Sequence, residues 1–141
     1  MIRMSLERFV EAQEMDYEIA LSEIKSGRKR SHWMWYIFPQ IQGLGYSSMA
    51  QFYAIKDRDE AEQYIKHPIL GKRLLEISEE LLKLKEDNAS RVMGYPDDLK
   101  LKSSMTLFYA VSGMEAFKKV LDKYFAGEQD EKTISILNTK G

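Results

Sequence analysis

The sequence predicts an all-α fold, and three observations carry that prediction. Apolar residues recur at helical spacing along most of the 141 residues. No run alternates apolar and polar residues long enough to require a strand. Ser, Asp and Gly stand where helices must begin and end. About seven helices are expected in one compact domain spanning 1–141, interrupted by an irregular or short extended aromatic segment near residues 32–40.

Ser5 is placed to cap a first helix whose apolar positions are Leu6, Phe9, Val10, Tyr17, Leu21 and Ile24, with Gly27 to end it. Arg28-Lys29-Arg30 then reads as a solvated cluster favoured by the negative end of that helix. Pro39 keeps Phe38 from helical dihedrals, so the run from His32 to Phe38 is expected to be irregular or extended. If extended, it sets Trp33 and Trp35 on one side and His32, Met34 and Tyr36 on the other. Gly43 and Gly45 mark a loop, after which Ser48 is placed to cap a short helix reaching Lys56.

Asp57 and Glu60 have capping-box spacing ahead of Ala61, Tyr64 and Ile65, and Pro68 interrupts or restarts that helix. From Ile69 to Leu84 the residues Leu70, Leu74, Ile77, Leu81 and Leu84 form one apolar face opposite Lys72, Glu76, Glu79 and Lys83. Turn chemistry at 94–98 leads into a helix carrying Leu101, Met105 and Phe108, closed by Gly113. A further helix runs from Met114 to Phe125, Asp130 is placed to cap a last short one, and 138–141 should fray.

Composition narrows the function classes. With 21 basic and 22 acidic residues spread along the chain, no overall field draws a polyanion, which argues against generic nucleic-acid binding. The absence of cysteine removes disulfides, thiolate metal sites and thiol nucleophiles. The start from Met1 to Glu7 meets charge too early for a secretory signal, and the longest apolar run, 33–38, falls far short of the roughly 20 residues that span a bilayer. A cytoplasmic setting without membrane contact is expected. Phosphate loops, dinucleotide fingerprints and His-Glu-x-x-His are lacking, and with only His32 and His67 as imidazoles neither a metal nor a cofactor is expected. Oligomeric state is not readable.

Two stretches concentrate chemistry. In 29–40, Trp33 and Trp35 either pack in the core or offer a surface for a planar ring, and His32 is either a structural residue or a proton carrier. In 96–106, Asp97 and Asp98 favour a positive helix start, while Ser103, Ser104 and Thr106, poor helix formers, hint at polar contacts to backbone or ligand.

These stretches also carry a resemblance. Phe9-Val10-x-Ala12-Gln13, the run from Ser31 to Gln40, Gly43-Leu44-Gly45-x-Ser47, His67-Pro68-x-Leu70-Gly71-x-Arg73-Leu74 and the run from Pro96 to Phe108 together resemble the bacterial family known as domain of unknown function 1810. That resemblance implies a mainly helical single domain and no established reaction. Tyr46 to Ala54, followed by a helix and Leu70-Gly71, is similar to the opening motif of the NADAR group, which implies helical structure and N-glycosidic chemistry on ADP-ribose-like compounds. Where that group carries a glutamate this chain has Ala50, so Asp97 becomes the first substitute for the acid.

The expected site therefore joins the loop around Gly43 to the helix start around Asp97. His32 or Asp97 would move the proton, and Trp33, Trp35 and Tyr53 would stack on a small nucleotide-like molecule. Gln40, Gln51, Ser48, Lys100 and Ser104 would complete the polar contacts. The competing reading is a non-enzymatic interaction module whose exposed tryptophans anchor a partner.

Overall fold

The fold is built around one helix that is enclosed on nearly every side. In the computed structural model, which describes residues 5–140, helix α7 (Asp97–Ser112) has residues 103–108 all buried, and helices from both earlier and later in the chain pack on it. The others are α1 (Glu7–Lys25), α2 (Met34–Ile37), α3 (Ser48–Phe52), α4 (Arg58–Lys66), α5 (Leu70–Lys83), α6 (Ala89–Met93), α8 (Glu115–Phe125) and α9 (Glu131–Lys140). The described residues thus hold nine helices where about seven were expected, and no strand. A single parallel bridge, Ile41 to Ile55, pins the two ends of the loop that holds α3.

Helix α5 shows how the pattern becomes packing. Its apolar stripe Leu70, Leu74, Ile77 and Leu81 is almost fully buried, and it lies against α1 on one side and α8 on the other. Phe108 of α7 joins the ring of Tyr64 at 5.2 Å and that of Phe117 at 6.3 Å, and Tyr64 meets Phe9 edge-on at 5.1 Å. The central core is therefore a chain of aromatic rings running from α1 through α4 and α7 to α8.

Several expectations about helix ends are met and several are displaced. Asp57 caps α4 by accepting the Glu60 N–H at 2.9 Å. Glu60 does not close the capping box; it accepts the Lys56 N–H at 2.8 Å and pairs with the buried Arg8 guanidinium at 3.2 Å, tying α4 to α1. Asp130 caps α9 through the Thr133 N–H at 3.1 Å. The cap of α3 is Ser47, which accepts the Ala50 N–H at 3.1 Å, rather than Ser48, and α3 ends at Phe52 rather than Lys56. Leu6 rather than Ser5 precedes α1, although Ser5 Oγ still accepts the Glu7 N–H at 3.3 Å. Helix α9 continues through Lys140, where an unwound end was expected; Gly141 and Met1–Met4 lie outside the described residues.

Residues 32–40 depart furthest from expectation. Pro39 does keep Phe38 non-helical, at φ −125° and ψ 75°, but the four residues before it wind one helical turn instead of extending. Neighbours two apart on a helix are turned by roughly 200°, so Trp33 and Trp35 face different ways. The two indoles therefore do not form one clamp. Trp33 is buried against Phe38, and Trp35 is half-buried at the surface.

Candidate functional site

The loop from Gln40 to Ile55 is closed at its base by two backbone bonds, Ile55 N–H to the Gln40 carbonyl and Gln42 N–H to the Ile55 carbonyl, each 2.8 Å. Inside it, Gln51 donates to the Tyr46 carbonyl at 2.9 Å. Gly45 lies so close to α3 that a side-chain carbon there would stand 2.7 Å from the Ala50 methyl group. The loop is thereby folded back on itself, and its outer face forms one wall of a cleft of ≈ 410 Å³.

Trp35 from α2 forms the floor beside Gln40, and the opposite wall comes from the first turns of α7 through Leu99, Lys100 and Ser103. Asp130 and Lys132 close the far end from the start of α9. A narrower hollow of ≈ 40 Å³ opens next to the same Trp35 and Gln40 and is lined also by Gln51 and Tyr53. It is large enough for a few water molecules. Burial raises the Tyr53 hydroxyl above the usual tyrosine range, which keeps it a neutral hydrogen-bonding group.

Charge in this region is arranged around Asp97. Its carboxylate bridges Lys29 at 2.9 Å and Lys100 at 3.3 Å, and the Lys100 ammonium also stands 5.4 Å from the centre of the Trp35 ring. Lys29 is itself held by the Ser31 carbonyl at 2.5 Å and lies 4.9 Å from the Trp33 ring centre. One carboxylate thus fixes the segment after α1, the start of α7 and the cationic wall of the cleft together. Asp130 is committed as well, accepting from Ser103 at 3.1 Å and from the Thr133 hydroxyl at 2.5 Å.

The expected residues divide into three groups. Trp35, Gln40 and Lys100 line the cleft, with Gln51 and Tyr53 in the adjoining hollow, so the loop around Gly43 and the start of α7 do meet. Asp97 stands behind that wall as the partner of Lys100, and Ser48 is exposed on α3 next to the lining residue Ser47. His32, Trp33 and Ser104 are elsewhere. His32 is exposed away from the cleft, and its carbonyl accepts from the Tyr36 hydroxyl at 3.4 Å. Ser104 is fully buried with its hydroxyl unpartnered, because a helix turns about 100° per residue and presents Ser103 to the cleft instead.

Glu23 organises this end of the molecule, and no sequence motif marked it. Its carboxylate accepts from the Ser31 hydroxyl at 2.5 Å, the Trp33 indole at 2.9 Å, and the N–H groups of Arg30 at 2.8 Å and Ser31 at 3.0 Å. Partial burial opposes its charge, but these four donors outweigh it and hold the carboxyl down at about 2. Trp33 is therefore a structural anchor between α1 and α2. Asp130 and Lys132 are further lining residues that motif reading passed over, and Tyr46, which opens the NADAR-like stretch, lines the cleft without having been named for the site. For Asp130 the one available signal was its cap position; for Lys132 there was none.

The comparisons agree with this architecture and bring no reaction. A crystal structure titled as the conserved hypothetical protein Rv1873 from Mycobacterium tuberculosis superposes with a TM-score of 0.92, at 42% identity over 94% of this chain and 96% of that one. No curated protein matches the chain. The family described as "Protein of unknown function (DUF1810)" matches residues 3–137. With nearly the whole fold inside that match, the chain belongs to the DUF1810 family.

Proposed function

We propose that this domain binds a small, planar, anionic ligand of nucleotide-like chemistry in the cleft between the 40–55 loop and α7, in a cytoplasmic setting. The observation that supports this most is the pairing of Trp35 and Lys100 on adjoining walls, the ammonium 5.4 Å from the ring centre. An aromatic face beside a fixed cation suits a base and its phosphate. Gln40 and Ser47 add neutral donors and acceptors, and Lys132 adds a second positive charge. A cleft of ≈ 410 Å³ falls within the range of about 300–1,000 Å³ usual for small-molecule sites.

In this reading an incoming phosphate competes with Asp97 for Lys100, and Asp97, still held by Lys29, keeps the wall in place. Hydrolysis of an N-glycosidic bond, the chemistry of the NADAR group, would fall to Asp97 once the phosphate has taken Lys100 from it and freed one carboxylate oxygen towards the cleft, since Ala50 supplies no acid. It would serve to stabilise an oxocarbenium-like transition state or to activate water. A thermal-shift screen against nucleotides, NAD, ADP-ribose and nucleosides tests binding, and product analysis with Asp97→Asn tests hydrolysis.

A second reading, a protein-interaction module, draws on the exposed Tyr46, Tyr95 and Leu99 near the cleft rather than on the tryptophans. A flat ligand screen together with capture of a partner lost on Tyr46→Ala would favour it.

A further inference from the structure

A second hollow, which shares no lining residue with the Trp35 cleft, gathers positive charge from two separate elements. After α1 the chain crosses to α6, where the Lys29 N–H donates to the Val92 carbonyl at 2.7 Å. This brings Arg28 beside Ser90 and Arg91 around an open hollow of ≈ 460 Å³, whose other lining residues are Lys29, Val92 and Gly94. Three of the six are cationic and none is acidic, in a chain whose formal net charge is −1.

The negative end of α1 favours the basic residues that follow that helix, and Arg91, in the last turn of α6, brings a cation to the same hollow from a separate element. Of the three cations Lys29 is neutralised by Asp97 at 2.9 Å, which leaves the two arginines to carry the charge of the hollow. Among the described residues Arg28 makes no ion pair, and Arg91 meets only Glu86, at 3.6 Å with its own side chain largely exposed, a weak contact. The nearby Glu23 is turned to Ser31 and Trp33, and Asp97 to Lys29 and Lys100.

We propose that this hollow is an oxyanion site that takes the phosphate group of a small molecule between the Arg28 and Arg91 guanidiniums, with the Ser90 hydroxyl as a further donor. Planar guanidiniums bind phosphate by paired N–H donors, and two of them lining one hollow from different elements offer an arrangement that a single basic run lacks. The site is separate from the Trp35 cleft and does not depend on a ligand there.

The test is a titration of the full chain with inorganic phosphate and pyrophosphate, followed by backbone amide NMR, with chloride at matched ionic strength as control. The expected result is a saturable shift confined to residues 27–30 and 90–94, with binding weakened at least about tenfold in an Arg28→Ala/Arg91→Ala variant whose other resonances are unchanged. Linear, chloride-like shifts, or saturable shifts that the double variant does not weaken, would overturn the proposal. Binding of a single-stranded oligothymidylate without saturable binding of phosphate or pyrophosphate would overturn it too. Shifts that appear only around Trp35 and Lys100 would count for the cleft and against this site.

Discussion

At the scale of single residues, two polar groups illustrate opposite outcomes of burial. Glu23 is stabilised as an anion by four donors, so its folded value of about 2 lies below its ordinary value of 4.5. A depressed carboxylate contributes stability that is present above 4.5 and is lost as the pH falls towards 2. Glu23→Gln is expected to cost about 1–3 kcal/mol near neutral pH, with the gap to wild type closing as the pH drops through that window. Denaturant melts at several pH values, read by tryptophan emission, check both the size and the direction. Ser104 is the reverse case: its hydroxyl is buried without a partner, so Ser104→Ala is expected to leave stability unchanged or raise it by up to about 1 kcal/mol. A loss of more than that in a thermal melt would show that the hydroxyl is satisfied in solution.

At the scale of elements, the tightest constraint lies between α4 and α5. A side-chain carbon on Gly71 would stand 2.0 Å from the Ile65 carbonyl oxygen, a backbone atom that cannot move aside without unseating α4. Gly71→Ala is therefore expected to destabilise by on the order of 3 kcal/mol, against near neutrality for alanine at an open helical position. Equilibrium unfolding in urea measures it. The same junction is fixed by His67, whose Nδ1 accepts the Ile69 and Leu70 N–H groups at 3.1 and 3.2 Å and so stands in for a helix cap.

Long elements were legible from periodicity. Helices α1, α5, α7 and α8 follow from apolar spacing, because each buries a face against a neighbour. The short ones were not. Helix α6 is five residues held by Asn88, which accepts the Ser90 and Arg91 N–H groups, too short for any period to show. Helix α2 is one turn set by tertiary contacts, the Trp33 bond to Glu23 and the Gln13 amide on the Tyr36 carbonyl at 2.7 Å, which override the bias towards extension before Pro39. Trp33, which an extended segment would have set beside Trp35, consequently lies away from the cleft, whereas Trp35, Gln40 and Lys100 line it.

At the scale of the whole molecule, the cleft exists because three distant pieces of chain converge: the loop after α2, the start of α7 and the start of α9. Two of the three walls carried chemical cues in the sequence. The third, the start of α9, carried only the Asp130 cap and nothing for Lys132, since nothing local says that α9 packs across α7. What joins the walls is electrostatic as much as apolar: Lys29, Asp97 and Lys100 connect the end of α1 to the cleft, and Asp130 connects α9 to Ser103.

The central claim is that a planar anionic ligand lies against Trp35 and Lys100. The chain has two tryptophans, of which only Trp35 borders the cleft, so Trp35→Phe leaves Trp33 as an internal control. The most direct measurement is therefore a fluorescence titration of wild type, Trp35→Phe and Lys100→Ala with the ligand that most raises the melting temperature. The account predicts a saturable emission change in the wild type, no emission change in Trp35→Phe, and binding weakened about tenfold or more in Lys100→Ala. An emission change that survives Trp35→Phe, or an affinity untouched by Lys100→Ala, would contradict it.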